Sequence, residues 1–377
     1  MYLPPTSNTG VQNTERENMN NRTENLENKL TVLVDYMAFT ITAQNMDVND
    51  VIEFMGFAPH LFEDMPKGAN GYKRMKKCSL NGISVLYDGT DNMGIHVNVT
   101  GQGISSLLTS FKETFSSETP FGKGYSLWEE TVLSRFCADV MEIGQFTRID
   151  IAIDDYGMNY YSPDELDECW HNAKIVTKFR SEYIHRKSDA PRNCSGRTVY
   201  FGSRTSSLML RVYDKKLEQN TGLKPTDDNY IDMEWIRWEL EFKNERANDL
   251  AKQFIDNIPL GQVAVGVLHY YFRIIQFDDS NRSRCSNDEK WDNFINGIKK
   301  LRICMRKQPK TLYEKERWID DQVAPSLALL LIMNDGDTNY LNNIALKALP
   351  RLSNADKEIL RTERPDTYKH FFGEITE

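Results

Sequence analysis

The sequence lacks the parts from which several familiar sites are built. Its six cysteines (Cys78, Cys137, Cys169, Cys194, Cys285, Cys304) include no C-x-x-C pair, which argues against zinc ribbons and a disulfide framework. They read as reduced thiols of a cytoplasmic protein. No G-x-x-x-x-G-K-[ST] loop is present, so nothing points to nucleoside triphosphate chemistry. The longest apolar run, Leu327 to Met333, is too short to span a bilayer, and no stretch resembles a signal peptide. No membrane partner is expected. Positive charge is also short: the net charge is -9, so any contact with nucleic acid must come from a local patch.

The 377 residues are enough for two or three domains, and 40% of them are hydrophobic, which can bury a substantial core. Residues 1 to about 28 are rich in Asn, Thr and Glu and read as a disordered tail. Folded sequence begins with the strand LTVLVDYMAFTI from Leu30, followed by a helix over VIEFMGF capped from Asp47 or Asn49. Asn81-Gly82 between GYKRMKKCSL and ISVLYDG predicts a hairpin. Gly94 to Thr100 alternates as a strand that carries His96, and helices are expected near Leu127 to Ile143 and Ser162 to Ala173.

Three stretches alternate with the period of a half-buried strand. In FTRIDIAIDDY, Ile149, Ile151 and Ile153 share one face and Asp150, Ala152 and Asp154 the other. In TVYFGSRTSSLMLRVYDKKLEQ, Leu208, Leu210 and Val212 oppose Arg211 and Tyr213, with Lys215 and Lys216 just beyond. In WIRWELEFK, Ile236, Trp238, Leu240 and Phe242 oppose Arg237, Glu239, Glu241 and Lys243. Each pattern alone also fits a solvated strand face, and Asp154-Asp155 also fits an Asx turn closing a strand. If the three lie side by side, the sheet gathers four carboxylates opposite an arginine and a tyrosine. Carboxylates that close together call for a positive charge, and a hard cation that takes oxygen ligands and substrate phosphate would supply it. A phenol beside Arg and Lys could then carry phosphoryl chemistry, because cations stabilise both a phenolate and an attacked phosphate.

The same three stretches, YFGSR…RVYDKKLEQ, FTRIDIAIDD and WIRWELEFK, resemble the core motifs of Rep_trans-type replication initiation factors. These are rolling-circle initiators of small plasmids, together with relaxases of integrative and conjugative elements. The resemblance covers roughly residues 30 to 275, and LVDYMAFT and GIHVNVTGQG look more like the conjugative-element and phage branch. It implies an α+β fold, a mostly antiparallel sheet carrying the site on one face with helices on the other, over residues 29–285; after about 285 the apolar spacing of WDNFINGIKKLRICM and TLYEKERWIDDQVAPSLALLLIM is helix-like, so 286–377 reads as a helical region. It also implies a single-strand DNA endonuclease that starts rolling-circle replication or transfer through a 5′-phosphotyrosyl intermediate. Tyr213 would be the nucleophile, Arg211 and Lys215 its basic companions, and Asp150, Asp154, Glu239 and Glu241, with His96, the ligands of Mg²⁺ or Mn²⁺. The chain departs from some plasmid initiators in carrying His96-Val97-Asn98 where they have an acid, and it lacks the paired histidines of HUH nickases.

DNA is the implied partner, with room for a homodimer and a host helicase. Arg204, Lys216 and Arg237 are expected to contact it beside the site. Between Lys299 and Arg317 a run including Lys299, Lys300, Arg302, Arg306 and Lys307 has a local balance of +6 and reads either as a solvated helix face or as a grip on duplex DNA. Two other functions stay open: a water-using nuclease with Glu241-Phe242-Lys243 as its E-x-K half, and a non-catalytic DNA-binding regulator.

Overall fold

The computed structural model describes residues 30–78, 82–90, 92–112, 114, 128–190, 193–227, 230–301, 324–349, 352, 357, 360–361 and 364–372. The tail read as disordered, part of the Asn81-Gly82 turn and positions 302–323 lie outside the described residues.

The strands are β1 (Leu30–Ile41), β2 (Phe62–Asp64), β3 (Arg74–Cys78), β4 (Ile83–Tyr87), β5 (Ile95–Thr100) and β6 (Gly144–Tyr156), then β7 (Ile175–Thr177), β8 (Glu182–Ala190), β9 (Asn193–Phe201), β10 (Leu208–Asp214), β11 (Trp235–Lys243) and β12 (Phe272–Ile274). Ten of them form one sheet in the order β2-β3-β4-β5-β1-β6-β11-β10-β9-β8, while β12 and β7 pair separately. Every pairing is antiparallel. The three alternating stretches are therefore neighbours, with β11 between β6 and β10.

Alternation then sorts the side chains. Ile149, Ile151, Ile153, Leu208, Leu210, Val212, Ile236, Trp238 and Leu240 are all buried in one hydrophobic core. Helices cover this face: α1 (Gly101–Lys112), α2 (Trp128–Ile143), α3 (Glu245–Ile255), α4 (Leu260–Tyr271) and α5 (Glu289–Lys299). Aromatic edges lock the layers. Phe39 meets Phe136 at 5.5 Å, and Trp238 meets Phe294 of α5 at 4.8 Å and Trp291 at 6.0 Å. Because α5 is part of this core, the compact unit runs on to Arg306, about twenty residues past the change of character near 285. A second unit, 307–377, holds the helices Ala324–Met333, Thr338–Ala348 and Pro365–Phe372.

The helices begin where their sequences offer caps. Asp47 and Asp50 form a capping box for the helix Val48–Phe54, and Ser162 and Glu165 do the same for Pro163–His171. The first strand is less regular. Leu30, Val32 and Val34 face the core, but so do Met37, Phe39 and Ile41, so the parity changes at Asp35. A register shift between Val34 and Tyr36 accounts for this, since one extra residue in a strand flips everything after it. Asp35 and Tyr36 are thereby delivered to the polar side of the sheet.

Candidate active site

On the polar face the cross-strand register is tight. Asp150 stands opposite Glu241, Asp154 opposite Arg237, Arg211 opposite Glu239, and Tyr213 opposite Arg237. Asp150, Asp154, Glu239 and Arg237 have no exposed surface, and Tyr213 is only 8% exposed. Charges so deeply buried persist only when paired and hydrogen-bonded, and here each one is.

Two networks result. In the first, Arg237 donates to Asp154 through Nε (2.6 Å) and Nη2 (2.7 Å) and to Asp35 through Nη1 (2.7 Å). In the second, Arg148 donates to Asp150 (2.8 Å and 2.5 Å) and lies 2.5 Å from Glu241, while Lys243 meets the other oxygen of Glu241 at 2.5 Å. Arg211 is ion-paired with Glu239, and the Tyr213 hydroxyl donates to Glu239 Oε2 at 3.1 Å. Arg148 and Arg211 each keep 30% of the side chain open to solvent. Arg211 Nε is buried with no hydrogen-bond partner among the described residues, so its fork has a donor to spare.

Burial and the charge of Glu239 push the Tyr213 phenol well above its ordinary value, although Arg237 and Arg211 pull the other way. Burial also lowers the Lys215 ammonium, as does Arg237; Lys215 is ion-paired with Glu218 and sits 5.6 Å from the Tyr213 ring centroid. Arg211 lies 5.4 Å from the same centroid. Asp150 is pushed well up by burial and by Glu239, against the pull of Arg148.

The five residues expected to bind a metal are not brought together as one set. Asp154 spends both oxygens on Arg237, and His96 bonds Thr40 (2.8 Å) and Asn98 (3.0 Å), with burial lowering its pKa. Among the described residues no three His, Cys, Asp or Glu side chains converge as a metal group. Asp150 and Glu239 are close enough that the charge of Glu239 helps to raise Asp150. Glu241 stands across the register from Asp150 and the partly open Arg148 bridges the two, but as placed Asp150, Glu239 and Glu241 do not form a metal group either.

The expected DNA contacts divide in the same way. Arg237 is fully buried between two acids and cannot reach DNA. Arg204, Lys299 and Lys300 are exposed, and Lys216 is partly open but paired with Glu234 at 2.7 Å. Arg302, Arg306 and Lys307 lie outside the described residues. Sequence reading missed Asp35, Tyr36 and Arg148. The broken alternation of LTVLVDYMAFTI was the available signal for the first two, and the Arg two residues before Asp150, on the same face, for the third.

With this geometry in hand, comparison with known proteins gives a consistent answer. Residues 144–345 match the model of the replication initiation factor family, and residues 31–117 match the N-terminal domain of rolling circle replication initiation proteins. A candidate DNA relaxase of Bacillus subtilis (strain 168), NicK, is 28% identical over 357 residues, covering 91% of this chain and 92% of its own. The solved structure of a rolling circle replication initiator protein from Geobacillus stearothermophilus superposes with a TM-score of 0.59 at 26% identity, over 74% of this chain and all of the other.

Proposed function

The chain belongs to the replication initiation factor family, and from that premise we propose that it nicks one DNA strand to start rolling-circle replication or transfer, with Tyr213 as nucleophile. The observation that carries the reading is the 3.1 Å hydrogen bond from the Tyr213 hydroxyl to Glu239, beside two half-open arginines.

The chemistry follows from what each group can do. Glu239 Oε2 accepts the phenolic proton as the tyrosine oxygen approaches phosphorus, which offsets the cost of ionising a phenol held above its usual range. The new bond joins the tyrosine oxygen to phosphorus; the bond to the 3′-oxygen breaks, and that oxygen takes a proton from solvent to leave as a free 3′-hydroxyl, the phenolic proton staying on Glu239. Arg211, through the open part of its side chain, and Arg148 neutralise phosphate oxygens at the rim. Lys215 and Arg237 stay beneath as fixed positive charge. Asp150 and Glu241, bridged by the partly open Arg148, are the acids that would hold Mg²⁺ or Mn²⁺, and the ion would polarise the scissile phosphate when bound. Lys299 and Lys300 are the described cations proposed to grip duplex DNA, and a homodimer and a host helicase are its proposed protein partners. Among the described residues no helix is long and apolar enough to cross a membrane.

Incubation with supercoiled DNA carrying the element's origin and Mn²⁺, followed by denaturing electrophoresis, tests the reading. Protein bound covalently at the 5′ end, absent with Tyr213→Phe, is the expected result. Free 5′ ends would assign the cut to water, with Glu241 and Lys243 as the E-x-K pair. No cut at all would leave a DNA-binding regulator.

A further inference from the structure

The polar face does not stop at Tyr213. Tyr200 on β9 is the register partner of Arg211, and Tyr183 on β8 is the partner of Tyr200, so both rings stand on the same face as the nucleophile, one and two strands further out. The two rings are stacked, with centroids 4.4 Å apart and planes 7° from parallel, and both are partly open to solvent. Arg204, exposed in the turn between β9 and β10, lies 5.8 Å from each ring centroid and donates from Nε to the Tyr183 hydroxyl at 3.0 Å.

This group is held in place. Gly202 opens the turn at a φ of +101°, where an added Cβ would meet the Phe179 ring at 3.1 Å, and its N–H bonds the Ser181 carbonyl at 2.7 Å. Lys243, which reaches Glu241 in the acid cluster, also donates to the Arg204 carbonyl at 2.7 Å. The turn that carries Arg204 is thus tied through Lys243 to the network of Glu241, Arg148 and Asp150. Planar aromatics beside an exposed Arg, next to a phosphate-attacking site, are what a sequence-tolerant single-strand binder uses: bases stack on the rings while cations follow the backbone.

We propose that Tyr183, Tyr200 and Arg204 form a stacking platform for unpaired bases of the strand whose phosphate reaches Tyr213. The platform rests on the nickase reading for its role, but its binding chemistry is separable from cleavage. The platform positions the strand; it takes no part in bond making.

The test uses the full-length protein in EDTA, so that binding is read without cutting. The probes are a mixed-sequence single strand of about 16 nucleotides, the same length with abasic sugars, and a copy carrying 2-aminopurine. With wild type, the normal strand should bind more tightly than the abasic one, and 2-aminopurine fluorescence should be quenched on binding. Tyr183→Leu and Tyr200→Leu should each weaken binding of the normal strand between about fivefold and a hundredfold, leave the abasic strand unchanged, and relieve the quenching. Tyr200→Phe keeps the ring and should bind as wild type. Arg204→Gln, a change on an exposed turn that the fold tolerates, should lower affinity for both strands.

Equal affinity of wild type for normal and abasic strands, or equal losses on both in the Leu variants, would overturn the platform. Wild-type quenching needs no variant, so a Leu protein that fails to fold does not rescue the idea. Base-dependent binding without any nicking would keep the platform and sink the nickase reading; nicking without base-dependent binding would do the reverse.

Discussion

Arg237 and Arg211 stand on neighbouring strands, point from the same face of the sheet, and are each paired with acids, yet they are opposites. Arg237 gives three donors to two carboxylates and has no exposed surface. Arg211 is ion-paired with Glu239, keeps 30% of its side chain in solvent, and its buried Nε has no hydrogen-bond partner among the described residues. The difference comes from the carboxylates available. The bulge in β1 delivers Asp35 as a second acid to Arg237, whereas the acid of Arg211 is shared with a phenol. A saturated guanidinium in a sheet acts as a structural tie; an unsaturated one at the rim has capacity left for a phosphate. Alternating charge on a strand can mean either, and only the count of partners separates them.

The largest effect expected is from Tyr213→Phe, which should cut the nicking rate by at least about a thousandfold, as removal of a nucleophile does. It should cost about 1 kcal/mol of stability, the worth of one hydrogen bond. A variant that still nicks at a tenth of the wild-type rate would move the nucleophile elsewhere. Next come the two arginines. Arg237→Ala strands the buried Asp154 carboxylate and should cost about 3–5 kcal/mol in urea unfolding. Arg211→Ala should unfold less readily than that variant but nick about a hundredfold or more slowly. If both lose stability alike and activity alike, the contrast between tie and phosphate ligand fails.

A third test uses the acids. Asp150→Asn should raise the Mn²⁺ concentration for half-maximal nicking by about ten- to a hundredfold. Asp154→Asn should leave that concentration unchanged and lower the unfolding midpoint, because its oxygens serve the fully buried Arg237, whereas those of Asp150 serve the partly open Arg148. The reverse outcome would place the cation over Arg237.

Much of this site was legible in advance because strand alternation is a strict period of two. FTRIDIAIDDY, LMLRVYD and WIRWELEFK each had to present their polar set together, and antiparallel pairing put those sets side by side. What alternation does not encode is who pairs with whom across the face. Asp150, Asp154, Glu239 and Glu241 look equivalent as a list, but two of them approach each other and one is consumed by Arg237. Nor does it locate the end of a unit: the helix with Trp291 and Phe294 reads as the start of a separate helical region, and its aromatic residues instead complete the core under Trp238.

The smallest effect is set by pH and isolates the phenol itself. The folded-state value of Tyr213 is raised, and the unfolded value is near 10. The folded state therefore binds this proton more tightly, and its contribution to stability is complete below pH 10 and lost as pH rises beyond it. Between pH 9 and 11 that loss amounts to about 1.4 kcal/mol for one such group. Other tyrosines with raised values, Tyr36 and Tyr161 among them, add their own alkaline losses, but these are common to wild type and Tyr213→Phe and cancel in the difference. Urea unfolding of both proteins at the two pH values should thus show the Phe variant losing about 1.4 kcal/mol less. Equal losses would mean that the hydroxyl titrates as if in water, which is incompatible with a phenol closed over Glu239, and the asymmetry between the sealed and the working half of the face would lose its central residue.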